Sequence, residues 1–246
     1  MTPEEPSVMP IFFGKVIVPL GDEIVAVAVV SPIYKRSSWG RQAKQFIASF
    51  GVRDFLAEAL HYLASKLAGG RRSVKSLVRS NGIPLLTPEH VNSSDFLDAL
   101  RRLDPDLVIS VSCPQIFGKE LLELPRRGCI NVHSALLPHY RGVLPTFWVL
   151  ANGEDTTGVT VHQMTPGIDG GNILLQKRVG IEADETLHSL MRRCKAVAAD
   201  AVLETVARLR DGTIHALPNP ADEGSYFSFP SREDVGRFRA RGRALR

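Results

Sequence analysis

Short apolar runs alternate with helix-length amphipathic stretches as far as residue 130, and this alternation constrains the fold more than any other feature of the sequence. Residues 24–30 form a continuous, valine-rich run ended by Ser31-Pro32, the pattern of a strand buried on both faces. A strand of that kind pairs in parallel and needs a crossover to reach its neighbour, which the intervening helices supply. The expected fold is therefore α/β, a Rossmann-like, mostly parallel sheet flanked by helices.

The remaining elements follow from spacing. Residues 10–20 read as a helix. Residues 42–67 carry Phe46, Ile47, Phe50, Phe55, Leu56, Leu60, Leu63 and Leu67 at helical intervals, with Gly51 expected to divide the stretch. Residues 69–73 read as a loop, 73–81 as a short helix stopped by Gly82, and 83–86 as a short strand. Asn92 is expected to cap a helix that Pro105 closes. A strand at 107–112, a helix at 118–124 and strands at 129–133, 158–164 and 173–181 come next. Leu187, Leu190, Cys194, Val197, Ala201 and Leu209 then recur at 3 and 4 in a long helix that begins after Asp184-Glu185 and ends at Gly212. Residues 1–212 are read as one catalytic domain. Residues 213–246 are read as a C-terminal extension, packed by aromatics around Tyr226 and Phe229, ending in a basic helix and too short for another domain.

Composition narrows the function classes. At 44% hydrophobic and 23% charged, the chain has the balance of a soluble globular protein. No apolar run reaches the length of a membrane span, and the start MTPEEPSVMP lacks the basic-then-apolar order of a secretory signal, so a cytoplasmic protein with no membrane association is expected. Cys113, Cys129 and Cys194 are odd in number and contain no CxxC pair, which fits reduced thiols and excludes a zinc ribbon or disulfide framework. The net charge of +4 is mild. Its basic clusters at 71–75 and 232–246 read as a solvated helix face and a loose tail rather than an RNA surface, since no aromatic platform is interleaved with them. Nothing here fixes an oligomeric state.

The chemistry concentrates in residues 130–142 and 167–171. Asn131 and His133 are two apart on a strand and share a face, at the carboxyl edge where open parallel sheets place their ligands. Asp169 lies downstream in the glycine-rich loop Gly167-Ile168-Asp169-Gly170-Gly171. An amide, an imidazole and a carboxylate suit acyl transfer between nitrogens: Asn131 Nδ2 and protonated His133 can donate to an oxyanion, His133 can shuttle a proton, and Asp169 can orient the imidazole. The same residue types also occur as satisfied loop and turn residues, so spacing leaves both readings open. A metal hydrolase built on His133, His139, His162 and Asp169 fits no standard ligand spacing, and no metal is expected.

The context of these residues adds a resemblance. Asn131-Val132-His133, Leu136-Leu137-Pro138, Tyr140-Arg141-Gly142, Thr157-Gly158-Val159-Thr160-Val161-His162, Gly167-Ile168-Asp169-Gly170-Gly171 and Ile173-Leu174-Leu175-Gln176 together resemble the 10-formyltetrahydrofolate-dependent formyltransferases. Weaker similarity runs over residues 24–212. The resemblance implies the formyltransferase fold, 10-formyltetrahydrofolate as co-substrate and Asn131, His133 and Asp169 as the catalytic trio. It also implies that two segments hold the pterin largely through backbone groups: Cys113-Pro114-Gln115-Ile116-Phe117, and Thr165-Pro166-Gly167-Ile168, which runs into Asp169. His162 is a second-tier candidate, equally suited to a half-buried strand.

Three departures from that family shape the expectations. Its members open with a strand that becomes central in the sheet, and here that first strand is expected to be missing, with Thr2 to Pro6 as the loop that would follow it. The residues after the histidine are Ser134-Ala135, where the family has a small residue and then serine. No OB-fold domain, phosphate loop or regulatory domain is read, so a small amine acceptor is expected, such as the amino sugar of a nucleotide sugar. Methionyl-tRNA formyltransferase-like activity with tRNA, hydrolysis of 10-formyltetrahydrofolate, and an inactive folate-binding module stay open as alternatives.

Overall fold

The structure, a computed structural model, describes residues 1–5, 7–31, 39–68 and 73–246. In chain order its elements are α1 (Met9–Leu20), β1 (Val27–Ala28), α2 (Trp39–Phe50), α3 (Val52–Ala68), α4 (Val74–Ser80), β2 (Leu85–Leu86), α5 (Ser94–Leu103), β3 (Val108–Val111), α6 (Lys119–Glu123), β4 (Cys129–His133), β5 (Arg141–Gly142), α7 (Pro145–Asn152), β6 (Thr156–Gln163), β7 (Ile173–Gly180), α8 (Leu187–Arg210), β8 (Tyr226–Phe227) and α9 (Arg232–Ala240). β1 pairs with β2 and β3 with β4, both in parallel, while β6 and β7 extend the β3–β4 sheet as antiparallel strands.

The parallel strands separate two apolar layers. Val27 and Val29 face a cluster with Phe12 and Val16 of α1 and Leu190 and Val202 of α8, whereas Ala28 and Val30 face a second cluster with Phe96, Leu97 and Leu100 of α5 and Leu121 of α6. Successive residues of a strand point to opposite faces, so a run apolar at every position needs a helix layer on both sides. This is the Rossmann-like arrangement that the alternation predicts.

The N-terminal residues differ from expectation. Thr2 belongs to the sheet rather than to a loop. Its amide donates to Ala28 O at 3.0 Å and its carbonyl accepts from Val30 N at 2.8 Å. On the other side Val111 N donates to Met1 O at 2.9 Å, and the Met1 ammonium donates to Ile109 O. Two extended residues thus join β1 to β3. The chain then turns into α1, and just before the helix the Glu5 carboxylate accepts from Ser7 N at 3.0 Å and Val8 N at 2.8 Å. Below Met1, between β1 and β3, lies a cavity of about 610 Å³ lined by Phe12, Val16, Leu100, Val202, Val206 and Leu209 among others.

Several local expectations are refined. Gly51 divides α2 from α3 at φ 93°, a left-handed conformation that glycine adopts without cost. Asn92 does not cap α5; Ser93 precedes the helix, and the Asn92 amide instead donates to Ile116 O at 2.9 Å and accepts from Gly118 N at 2.7 Å. The start of α8 is a capping box between Thr186 and Ser189 rather than a charge effect of Asp184-Glu185. The sequence reading also passes over α7, whose residues are apolar all round because it is buried. Residues 69–72 lie outside the described residues, with the loop expected there and half of the first basic cluster.

The basic tail is not loose. Phe238 and Val235 of α9 are buried, and Leu187 N and His188 N each donate at 2.9 Å to Ala244 O and Leu245 O. Arg239 pairs with Asp54 at 2.6 Å and Arg246 with Glu58 at 2.8 Å. Among the described residues no helix is long and apolar enough to cross a membrane.

The cavity gives a stability contrast. Leu190→Ala, in a close-packed part of α8, should lower the unfolding free energy by about 2–5 kcal/mol. Val206→Ala on the cavity wall should cost less than half as much, because it removes fewer contacts. Urea denaturation of both variants checks this; equal losses would show that the cavity collapses in solution.

Candidate active site

The site is built where β4 ends. The β4–β6 register sets Asn131 opposite His162 and His133 opposite Thr160, so the antiparallel partner brings a second histidine beside the first. Asp169 comes from the loop between β6 and β7. It adopts φ 49°, uncommon for a residue with a side chain, and Gly171 beside it has no room for a Cβ, which would fall 2.0 Å from Gln163 O.

The four side chains converge. Asp169 Oδ2 lies 3.5 Å from His133 Nδ1 and accepts from Gly142 N at 2.9 Å. Asp169 Oδ1 lies 3.5 Å from His162 Nε2 and accepts from Asn131 Nδ2 at 3.4 Å. Asn131 Nδ2 is also 3.2 Å from His162 Nε2. The sequence-derived trio is therefore assembled in space, with His162 as a fourth member. The alternation that made His162 equally suited to a plain strand put it on the site's face.

The outer nitrogens fix the tautomers. His133 Nε2 is 2.7 Å from Tyr140 O and His162 Nδ1 is 2.8 Å from Gln163 O. A carbonyl oxygen only accepts, so each of these nitrogens carries a hydrogen. When the rings are neutral, Nδ1 of His133 and Nε2 of His162 are the basic positions, and both face one carboxylate. Burial pushes the His133 imidazole below its ordinary 6.5, against the attraction of Asp169. Burial alone would raise the Asp169 carboxyl, but the neighbouring histidines and the Gly142 N–H outweigh it and bring it down to about 2.

The expected loop after β4 is held by partners that spacing does not reveal. Thr160 Oγ1 donates to Ala135 O at 2.6 Å and accepts from Leu137 N at 3.1 Å, and Gln176 Nε2 donates to Leu137 O at 2.8 Å. The aromatic segment of the extension lies on the same loop: β8 pairs with β5, and Phe227 stacks on Tyr140 and Trp148 with centroids 5.3 and 4.6 Å apart.

The two segments expected to hold a pterin are placed as follows. Gln115 is buried and its side chain is fully engaged, accepting from Val91 N at 2.9 Å and donating to Ser31 O at 2.9 Å and Glu89 O at 2.8 Å. It fixes the loop, and Ile116 beside it is 68% exposed. Pro114 is half-buried and Phe117 buried beside it, while burial pushes the Cys113 thiol up from its ordinary value. In the second segment Thr165, Pro166 and Gly167 are exposed, and Ile168 is 50% exposed. Behind the first segment, Lys195 of α8 is buried and donates to Ser112 Oγ at 2.7 Å; burial brings its ammonium down to about 8. Among the described residues no group of three His, Cys, Asp or Glu side chains could hold a metal ion.

Residues 12–206 match the formyl transferase family. The chain belongs to it. The matched span contains β4, the Asp169 loop and both segments just described. Among relatives in this family, a methionyl-tRNA formyltransferase of Geobacter metallireducens is 43% identical over 141 residues, covering 57% of this chain and 45% of that one. The chain spans about half the length of the curated relatives it matches. A sugar N-formyltransferase from a Shewanella species superposes with a TM-score of 0.60 at 21% identity, over 93% of this chain and 74% of that one, and so shares its fold. The formyltransferase PseJ from Anoxybacillus kamchatkensis, solved with UDP-4,6-dideoxy-4-formamido-L-AltNAc and tetrahydrofolate, is 25% identical with a TM-score of 0.51, over 62% of this chain and 78% of that one.

One substitution tests the geometry apart from any activity. Gly171→Ala should force the 167–171 loop away from Gln163 and lower the melting temperature, with the resonances of His133 and His162 displaced in nuclear magnetic resonance spectra. Gly167→Ala, whose Cβ would meet only Thr165 Oγ1 at 3.8 Å, should leave both unchanged.

Proposed function

We propose that the chain is an N-formyltransferase that moves the formyl group of 10-formyltetrahydrofolate to a primary amine. The observation that carries this reading is the convergence of Asn131, His133 and His162 on the single carboxylate of Asp169 at the carboxyl end of β4. The residues of the two flanking segments fit a flat, partly apolar ring: exposed Ile116 and Ile168 offer apolar contact, and the satisfied Gln115 side chain fixes the first segment in place. Cys113 to Phe117 and Thr165 to Ile168 would hold the pterin there.

The reaction needs three things from the protein. The amine lone pair attacks the formyl carbon, the carbonyl oxygen becomes an oxyanion, and a proton must pass from the amine to N10 as the C–N10 bond breaks. Asn131 Nδ2 serves the oxyanion by exchanging its 3.4 Å contact with Asp169, the longer of its two, for the developing charge. The basic nitrogens of His133 and His162 take up the amine proton, and the ionised Asp169 stabilises the imidazolium until the proton moves on to N10. Neither transfer needs a covalent nucleophile.

For the acceptor, the reading is a small amine on a nucleotide sugar, the class that PseJ holds together with tetrahydrofolate. The 43% identity to a methionyl-tRNA formyltransferase supports charged initiator tRNA as a second reading. Incubation with 10-formyltetrahydrofolate and either UDP-linked 4-amino sugars or methionyl-tRNA separates the two. Formate release at the same rate without any acceptor would replace both with hydrolysis.

Asn131→Ala and His133→Ala should each lower the transfer rate about 100- to 1000-fold while folate binding, followed by tetrahydrofolate fluorescence, stays near native. A variant that keeps near-native turnover sinks the assignment. The pH profile has a defined sign. The His133 pKa is lowered, so its basic form persists below pH 6.5 and kcat/KM should fall only as the pH drops further. With Asp169 at about 2, the carboxylate stays charged throughout that limb. A kcat/KM that, once protonation of the acceptor amine is corrected for, still declines from pH 8 downward would contradict the lowered His133 pKa.

A further inference from the structure

The C-terminal extension reaches the site at a point that neither the trio nor the family match includes. Asn219 is buried in it, two residues after Leu217, which exchanges both backbone hydrogen bonds with Ile173 at 2.8 Å. The Asn219 amide donates to Asp169 O at 2.8 Å and to Gly171 O at 2.9 Å, so it spans the tip of the loop that carries the carboxylate. Its Oδ1 accepts from Arg141 Nη2 at 2.7 Å, and its own carbonyl accepts from the same nitrogen at 3.0 Å.

These bonds close a circuit. Arg141 is covalently joined to Gly142, Gly142 N donates to Asp169 Oδ2, and Asp169 O accepts from Asn219, which holds Arg141. The circuit acts on two features that local sequence disfavours. Asp169 sits at φ 49°, a conformation that non-glycine residues keep only when their surroundings enforce it. Arg141 is a buried cation whose acceptors are all uncharged oxygens, those of Asn219 and the Pro220 carbonyl at 3.3 Å. Asn219 has the donor geometry for the first and the acceptor for the second, and an amide is the side chain that offers both at once.

We propose that Asn219 is a positioning residue of the reaction: from the C-terminal extension it holds Asp169 in the left-handed conformation that aims the carboxylate at His133 and His162. This rests on the reading of Asp169 as part of the reacting group, yet the geometric claim can be tested without turnover. Asp169 is faced by Asn131 and His133 from β4, by His162 from β6 and by the Gly142 amide from β5, with Lys195 of α8 acting on His133 at longer range. A displaced carboxylate withdraws the attraction that raises the His133 imidazole and so changes its titration.

The test compares Asn219→Ala, Asn219→Asp and Phe229→Leu in the full chain. Asn219→Asp keeps an acceptor for Arg141, whose charge it neutralises, and replaces the donors to Asp169 and Gly171 with an oxygen that repels those carbonyls, so it disrupts the proposed role even if the alanine variant fails to fold. Phe229→Leu loosens the extension at its contact with Phe50, whose centroid is 6.2 Å away, without touching the circuit. In histidine-labelled protein, His133 should titrate at lower pH in both Asn219 variants and as in the native chain in Phe229→Leu. Formyl transfer to whichever acceptor the screen identifies should lose about 10- to 100-fold in kcat, with the KM for 10-formyltetrahydrofolate unchanged, in the Asn219 variants alone. Native histidine titration in Asn219→Asp overturns the proposal. So does a kcat loss that Phe229→Leu shares in full, since that marks general loosening. If the native chain transfers no formyl group, the titration arm still decides the positioning claim, and only the proposed function fails.

Discussion

One carboxylate organises the carboxyl end of β4, where the proposed site lies. Asp169 is mostly removed from solvent and charged, and a buried charge persists only where hydrogen-bond donors and opposite charge surround it. Its two donors, Asn131 Nδ2 and Gly142 N, come from β4 and β5, and the His162 imidazole beside it comes from β6. The ordering of these stretches around one anion explains why glycine is needed at 142 and 171, where the backbones approach too closely for a Cβ. It also explains why both histidines turn their outer nitrogens to carbonyls. With those nitrogens spent, the inner pair must face the carboxylate, and an imidazole is held neutral or charged by the state of its neighbour.

The fold was largely legible because its signals are periodic. Continuous apolar runs marked the parallel strands, and the two helix layers on either side are the direct reason that such runs contain no polar alternation. The strand at Cys129–His133 and the break at Gly51 were readable to the residue. What the sequence hid were elements set by partners far along the chain. β5 and β8 are two residues each and exist only because they pair with one another across about eighty positions, so neither has a pattern of its own. Buried α7 lacks a polar face and so lacks a helical period. Thr2 looked like a loop residue because its strand character comes entirely from Val29 and Val111 on its two sides.

The site was legible in part for the same reason. Asn131 and His133 share a strand face by simple alternation, and Asp169 stood out in a glycine-rich loop. His162 could be seen but not ranked, since only the register of β4 against β6 brings it beside Asn131. Asn219 carried no signal at all. It is one polar residue in a proline-rich segment, and its importance is a property of the place to which the segment folds. The basic tail was misjudged on similar grounds: a run of arginines reads as a solvated surface until carboxylates and helix-end carbonyls elsewhere are known to lie against it. Single exposed pairs of this kind contribute little each, but Phe238 and Val235 beneath them anchor the segment by burial.

The distance in sequence between Asp169 and the segment that secures it has a consequence for how the protein is made. Synthesis proceeds from the N-terminus, and the sheet, both helix layers and all four converging side chains are complete in the nascent chain well before residue 219 is added. At that stage the loop at 167–171 has no partner for its carbonyls and Arg141 has nowhere to bury its charge. The body of the domain can therefore condense early, while the proposed site is set only when the last thirty or so residues have emerged and folded back. Maturation of the site is separated in time from maturation of the fold, and a stop codon anywhere between the end of α8 and Asn219 would leave a compact body whose centre is never closed.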